Sequence, residues 1–311
     1  MTEDFMPNRR ALRWLLPALL LLLSPIQVLA KAPAPAACDK RCLLRVLTEY
    51  TEAIDDNNTS RLPLAPTVRV TSNGVQGSLG KGEVWGPARR LPFRQVFVDP
   101  ATGSAVFYGI VTTATRGGTP GAKPEHYWFY VARLKVDGRK ITEVEEIAYE
   151  KPSSGFGADP AALTLPDRIF DTVLPVDERS SRKQLYAIAD QYFDAVSQKV
   201  DYHTVPWRPD CQRVELGVFT VNAPSTAGSC GGEFQTPSVK WTVINRRFYI
   251  ADLERGVVLA VGNFTAPPEY PKNNPSVVME VFKVQDGMIR HIWAFFRGNG
   301  QPESGWPDAP R

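Results

Sequence analysis

The feature that most constrains this chain is that it resembles itself. Leu47–Asp55 (LTEYTEAID) carries apolar and aromatic residues at helical spacing. A Pro-bracketed stretch, Leu62–Pro66, follows it, and then the strand-like Val68–Val75. The second half repeats this order with Ile188–Val196 (IADQYFDAV), Val205–Pro209 and Cys211–Val218. The ends of the halves match as well. Lys135–Ile141 (KVDGRKI) and Lys283–Ile289 (KVQDGMI) both predict a hairpin turned at Asp-Gly, with period-two alternation in Ile141–Ile147 and Ile289–Phe296. One repeat therefore predicts an N-terminal helix followed by four or so antiparallel strands. That is α+β: two tandem cone-shaped units, each a curved antiparallel sheet packed against N-terminal helices. The Pro/Gly/Ser-containing stretch Pro152–Pro175 reads as a linker with some order. The division expected is 38–151 and 178–298 for the two domains, 152–177 for the linker and 299–311 for a tail.

The first thirty residues predict a signal peptide. Arg9, Arg10 and Arg13 form a positive start, Trp14–Leu23 is an apolar run, and Val28-Leu29-Ala30 suits cleavage after Ala30. The apolar run is short of the ~20 residues that a membrane-spanning helix needs. Cleavage would remove three Arg, one Asp and one Glu and lower the formal net charge from +3 to about +2. A near-neutral chain with no Lys/Arg run does not predict a nucleic-acid partner. No later segment predicts a membrane span, so a secreted or periplasmic protein is expected. Hydrophobic residues at 43% suffice for two cores.

All four cysteines, Cys38, Cys42, Cys211 and Cys230, lie beyond that segment. An even number in an exported chain predicts disulfides, and three pairings are possible. Cys38–Cys42 with Cys211–Cys230 is favoured because each bridge then stays within one half. The spacings do not fit a structural zinc site, and three histidines (His126, His203, His291) make a multi-histidine site cramped. No metal or cofactor is expected. Nucleophile-elbow, Walker, dinucleotide-fingerprint and His-Glu-x-x-His motifs are absent. Asn57-Asn58-Thr59 and Asn263-Phe264-Thr265 fit the glycosylation pattern.

The helices, the Pro-flanked first strands and the closing segments 135–146 (KVDGRKITEVEE) and 283–293 (KVQDGMIRHIW) resemble the nuclear-transport-factor-2-like superfamily, also called SnoaL-like or cystatin-like cones. The segments 38–50 (CDKRCLLRVLTEY), 61–75 (RLPLAPTVRVTSNGV), 205–218 (VPWRPDCQRVELGV), 245–260 (NRRFYIADLERGVVLA) and 304–306 (SGW) look like a secreted tandem version of it without a defined activity. The resemblance implies a menu: isomerases, dehydratases, cyclases, aldol-type lyases and epoxide hydrolases on small apolar substrates, and binding modules. Fold does not choose among them. It also implies that a carboxylate or histidine in the cone carries the proton.

On that basis the expected proton carriers are His291, Asp252 and Asp210, with Arg247, Tyr249, Trp293, Tyr192 and Trp207 lining the substrate. His291 shares a strand face with Trp293 and Phe295, and an imidazole titrates near neutrality. Its plainer role is a hydrogen-bonded residue at a domain interface. Arg246–Gly256 predicts a hairpin arm in which Asp252 pairs with an arginine, as a substrate-orienting pair or a structural anchor. The aromatic strand His126–Tyr130 predicts core packing, with a resting place for a flat aromatic ligand as the alternative. The function expected is a cofactor-independent lyase or isomerase that moves a proton on a small apolar, aromatic or polyketide-like molecule. The alternatives are a binding module and a structural pseudo-dimer, monomeric or further associated as a homodimer.

Overall fold

A computed structural model of the protein describes residues 37–86, 88–113, 126–151, 155–163, 168–221, 230–231, 241–266, 275–298 and 306. The expected signal peptide, and the expected tail apart from Trp306, lie outside the described residues.

Each half begins with one helix: α1 (Lys40–Asp55) and α2 (Arg182–Val196). Asp39 caps α1 by accepting from the backbone N–H of Cys42, and Ser181 with Gln184 forms a capping box on α2. Leu43, Val46, Leu47, Tyr50, Ala53 and Ile54 form the buried stripe of α1. Leu185, Ile188, Ala189, Tyr192, Ala195 and Val196 repeat the same spacing in α2. The helices therefore align with Tyr50 on Tyr192, one residue away from the match of Leu47 to Ile188 that the sequence suggests.

The first sheet comprises β1 (Leu64–Ser72), β2 (Val75–Gln76), β3 (Ala88–Asp99), β4 (Ser104–Thr113), β5 (His126–Asp137) and β6 (Lys140–Glu150). The second comprises β7 (Trp207–Glu215), β8 (Val218–Val221), β9 (Thr242–Asp252), β10 (Val257–Thr265), β11 (Ser276–Gln285) and β12 (Met288–Gly298). The orders are β2-β1-β6-β5-β4-β3 and β8-β7-β12-β11-β10-β9. The protein is thus two tandem α+β cones. Six strands per sheet exceed the four expected. Moreover, β1 runs parallel to β6 and β7 parallel to β12, inside otherwise antiparallel meanders. The chain enters each sheet from its helix, at the edge of the hairpin stack, and closes the cone there.

The turns repeat too. Gly103 and Gly256 sit at φ +64° and +61° in the β3–β4 and β9–β10 turns. Their carbonyls accept from Val136 N and Val284 N, each at 2.7 Å, opposite the bulges of β6 and β12. A Cβ on Gly256 would stand 2.0 Å from the Val284 carbonyl oxygen. Gly256→Ala is expected to cost about 2–4 kcal/mol, through positive-φ strain and a backbone clash. A urea midpoint equal to the parent's would refute this.

Three cores result. α1 and the inner face of the first sheet enclose one, with Tyr50, Val84, Trp85, Phe107 and Tyr130. α2 and the inner face of the second sheet enclose another, with Tyr192, Phe193, Phe282 and Ile292. The third lies between the two outer sheet faces, with Phe93, Tyr108, Phe129, Leu259, Met279, Trp293 and Phe295. Trp293 stacks on Phe93 of β3 (4.9 Å between centroids), and Phe295 stacks on Tyr108 of β4 (4.0 Å). Phe295 also meets Phe129 of β5 edge-on, and Arg297 donates to the Ala148 carbonyl of β6 (2.9 Å). Five residues of β12 thus cross four successive strands, so the sheets pack at a steep angle. The stretch read as a linker contributes Phe170, which meets His291 and Phe97 edge-on.

The disulfides are Cys38–Cys42 and Cys211–Cys230, the favoured pairing. The second closes a separation of 19 residues, a loop for which chain entropy gives about 3 kcal/mol of stabilisation. Asn263 is fully buried on β10, so its glycosylation pattern is out of reach in the folded chain, whereas Asn57 is exposed. Among the described residues no helix is long and apolar enough to cross a membrane.

Candidate functional site

Each cone buries one carboxylic acid against the tyrosine of its own helix. In the first, Oε1 of Glu146 on β6 accepts from the Tyr50 hydroxyl (2.6 Å), the Tyr130 hydroxyl (2.7 Å) and Trp85 Nε1 (2.9 Å). In the second, Oε1 of Glu280 on β11 accepts from the Tyr192 hydroxyl (3.0 Å). The two acids occupy equivalent rungs. Glu146 lies opposite Ala132 across the β5–β6 pair, and Glu280 lies opposite Ala294 across β11–β12. The acid has changed strands between the halves while keeping its place under the helix tyrosine. Alanine opposite it leaves room for the carboxyl.

The two environments differ. Burial raises the pKa of Glu146 above the usual carboxylate range, and hydrogen bonds from Tyr50, Tyr130 and Trp85 pull it back. Burial pushes Glu280 up to about 8, against the pull of Arg213 and of the Tyr192 hydrogen bond. Its Oε2 is buried and has no hydrogen-bond partner among the described residues. Arg213 of β7 is buried and pairs with Glu215 (3.1 Å). The Trp207 ring meets Tyr192 edge-on at 5.9 Å. The second cone therefore holds an acid that keeps its proton at neutral pH, with one oxygen uncommitted and a guanidinium and a phenol beside it. An acid with its proton retained can donate to a carbonyl or hydroxyl oxygen.

Of the residues expected from the sequence, Tyr192 and Trp207 meet here, and the others lie elsewhere. His291, Trp293, Arg247 and Tyr249 face the first sheet, not α2. A bulge between Ile289 and His291 leaves Ile289 in the α2 core and turns His291 outward, where it is 1% exposed against Phe170. A second bulge on β9 puts Ile250 on the inter-sheet side and Phe248 on the helix side, so strict alternation misplaces that pair. Asp252 spans its own turn to Arg255 (2.8 Å). Asp210 is outside the cone, where a hydrogen bond from Arg208 (2.9 Å) holds its carboxyl below the usual range. The three histidines do not converge. His126 bonds Glu150 (2.5 Å), and His203 bonds Asp201 (2.8 Å) on the surface. Among the described residues no group of three His, Cys, Asp or Glu could hold a metal ion.

Arg247 and Tyr249 belong instead to a buried network. Glu145 of β6 bonds Arg247 Nη2 (2.5 Å), the Tyr249 hydroxyl (3.1 Å) and Arg133 Nε (3.3 Å). The Arg133 guanidinium lies over the Tyr249 ring at 4.0 Å. Trp306 lies against Arg133 and Arg69 and donates to Thr71 Oγ1 (2.8 Å). This network ties the halves together.

Glu280 is the functional candidate that motif reading misses. Its signal is a lone carboxylate in an apolar run, Val277-Val278-Met279-Glu280-Val281-Phe282. Such a group must be neutral or paired to be buried.

Residues 178–296 match the model of "Domain of unknown function (DUF8021)". None of the curated proteins compared with this chain matches it. Three solved structures are similar. One is a provisionally assigned ketosteroid isomerase from Kribbella flavida (15% identity, TM-score 0.26, covering 37% of this chain and 78% of that one). Another is AclR, a provisionally assigned hydroxylase from Streptomyces galilaeus (15%, 0.30, 37% and 83%). The third is PrhC from Penicillium brasilianum (15%, 0.25, 38% and 83%). Likeness at this level transfers no activity to this chain.

Proposed function

We propose that the second cone is the site of a cofactor-independent proton transfer, of the isomerase or lyase kind, on a small and largely apolar molecule. The observation that carries this reading is the buried Glu280, whose carboxyl pKa is pushed up to about 8 by burial and whose Oε2 has no hydrogen-bond partner among the described residues, beside Tyr192 and Arg213. The carboxylic acid donates its proton from Oε2 to a substrate oxygen, and the neighbouring Arg213 guanidinium favours the carboxylate this leaves on Glu280. An apolar cone strengthens both interactions by excluding water. In this reading Glu280 takes the proton-carrying role that the sequence suggests for His291, Asp252 or Asp210. The first cone, whose acid is held by three donors, has a structural role.

We further propose that the protein is exported and acts as a monomer. Its disulfides suit an oxidising compartment. The outer sheet face that one half would offer to a second copy is already covered by the other half.

The test is incubation of the full chain and its Glu280→Gln variant with a panel of small aromatic and polyketide-type metabolites in D2O, followed by LC–MS. Reprotonation of the substrate at carbon from D2O writes non-exchanging deuterium into the product. The wild type should convert a compound, and Glu280→Gln should lose about 10²-fold or more. Equal conversion by the two would sink the assignment. Retention of an unaltered ligand by both would favour the binding-module reading.

A further inference from the structure

We infer that Gly231 and the Cys211–Cys230 bridge are positioning elements of the second cone, holding the Trp207 indole against Tyr192 and so keeping water from Glu280. The inference rests on the reading of Glu280 proposed above. The contacts form one continuous path. Cys211 lies on β7, four residues from Trp207, and its disulfide brings Cys230 and Gly231 back to that strand. Both cysteines and Gly231 are buried. Gly231 lies so close to the indole that an added Cβ would stand 2.6 Å from Trp207 Nε1, 3.0 Å from its Cε2 and 2.9 Å from Tyr202 Cδ2. The indole cannot retreat freely, because Nε1 donates to the Tyr202 carbonyl at 2.8 Å. Its other neighbour is Tyr192, whose hydroxyl is bonded to Glu280.

This arrangement explains why a glycine follows the half-cystine. The bridge brings the backbone onto the ring, and only a residue without a side chain fits there. An indole pressed between that backbone and Tyr192 is fixed on two sides. The titratable and charged groups around Glu280 are Tyr192 of α2, Arg213 and Glu215 of β7, and Tyr108 from across the sheet. None of them is altered by the substitutions below, so a change in the Glu280 proton reports on water and geometry.

The experiment follows the protonated-carboxyl infrared band of the full chain against pH, with the Glu280 band identified by its loss in Glu280→Gln. Two variants are compared with the wild type. Gly231→Ala forces the indole away, and the double variant Cys211→Ala/Cys230→Ala removes the tether without adding bulk. Both should admit water, moving the midpoint down by about one pH unit or more toward that of an ordinary carboxyl. A merely structural role would lower stability equally at every pH and leave the midpoint in place. If neither variant moves a midpoint that the wild type shows near 8, the positioning inference is overturned and the Glu280 reading stands. If the wild type has no such band, both are overturned. Should Gly231→Ala fail to fold, Trp207→Phe replaces it. This variant keeps a ring but drops the bond to Tyr202, and a smaller shift of the same sign is expected.

Discussion

Replacing Glu145 by alanine is expected to destabilise the protein by about 3–5 kcal/mol. Glu145 is fully buried and lies between two arginines that are themselves inside the protein, with Arg247 at 2.5 Å and Arg133 at 3.3 Å. Its carboxylate also accepts from Tyr249. Removing it leaves the Arg247 cation in the inter-sheet layer without this counter-charge, while Arg133 retains Glu143 at 2.8 Å. The cost is that of a buried cation deprived of its carboxylate, which exceeds the worth of the bond itself. A combined Glu145→Ala/Arg247→Met variant should therefore recover part of the loss, since it removes the stranded cation as well. Urea unfolding measures both. A loss below about 1 kcal/mol for Glu145→Ala would mean that solvent reaches the layer, and would sink the account of it as a dry junction.

The second large effect concerns pH. The Glu280 carboxyl titrates at about 8 in the folded chain, against 4.5 for an ordinary glutamate. Between these values the unfolded chain has released the proton and the folded chain has kept it. The unfolded state then binds fewer protons, so stability falls as pH rises. The contribution is fully present below about pH 4.5 and is lost by the time pH passes 8. Glu280→Gln cannot ionise, so it removes this slope and leaves every other titration in place. The stability difference between wild type and variant should shift by a few kcal/mol in the variant's favour from pH 4.5 to pH 8.5. Urea midpoints at several pH values measure it. A difference that is flat across this range would show that Glu280 titrates as an exposed carboxyl, and would remove the basis for its role in proton transfer.

Several features were legible in the sequence because their causes are local. The buried helix stripes, the Asp-Gly hairpins and the turn at Arg255-Gly256 all follow from spacing and turn chemistry. The bridges within each half follow from chain proximity. The duplication was legible too, and with it the α+β class, because helix and hairpin signals recur in the same order.

The site was not legible, for a physical reason that β4 illustrates. All ten of its residues are buried, because α1 covers one face and the second sheet covers the other. Where both faces are dry, alternation no longer says which face a side chain joins. His291 and Glu280 are both polar groups in apolar strands, and the sequence alone favours the imidazole. Tertiary structure separates them. A bulge beside Ile289 turns His291 toward the first sheet, and β11 points Glu280 beneath Tyr192. Nothing near Glu145 in the sequence marks its partner, since β9, about a hundred residues later, brings Arg247 onto it. By itself the sequence determined the repeated unit, its helix, its hairpins and its covalent ties, since each depends on neighbours along the chain. Only the tertiary structure decided which polar residues meet, because facing is set by bulges and by which layer covers each side of a sheet.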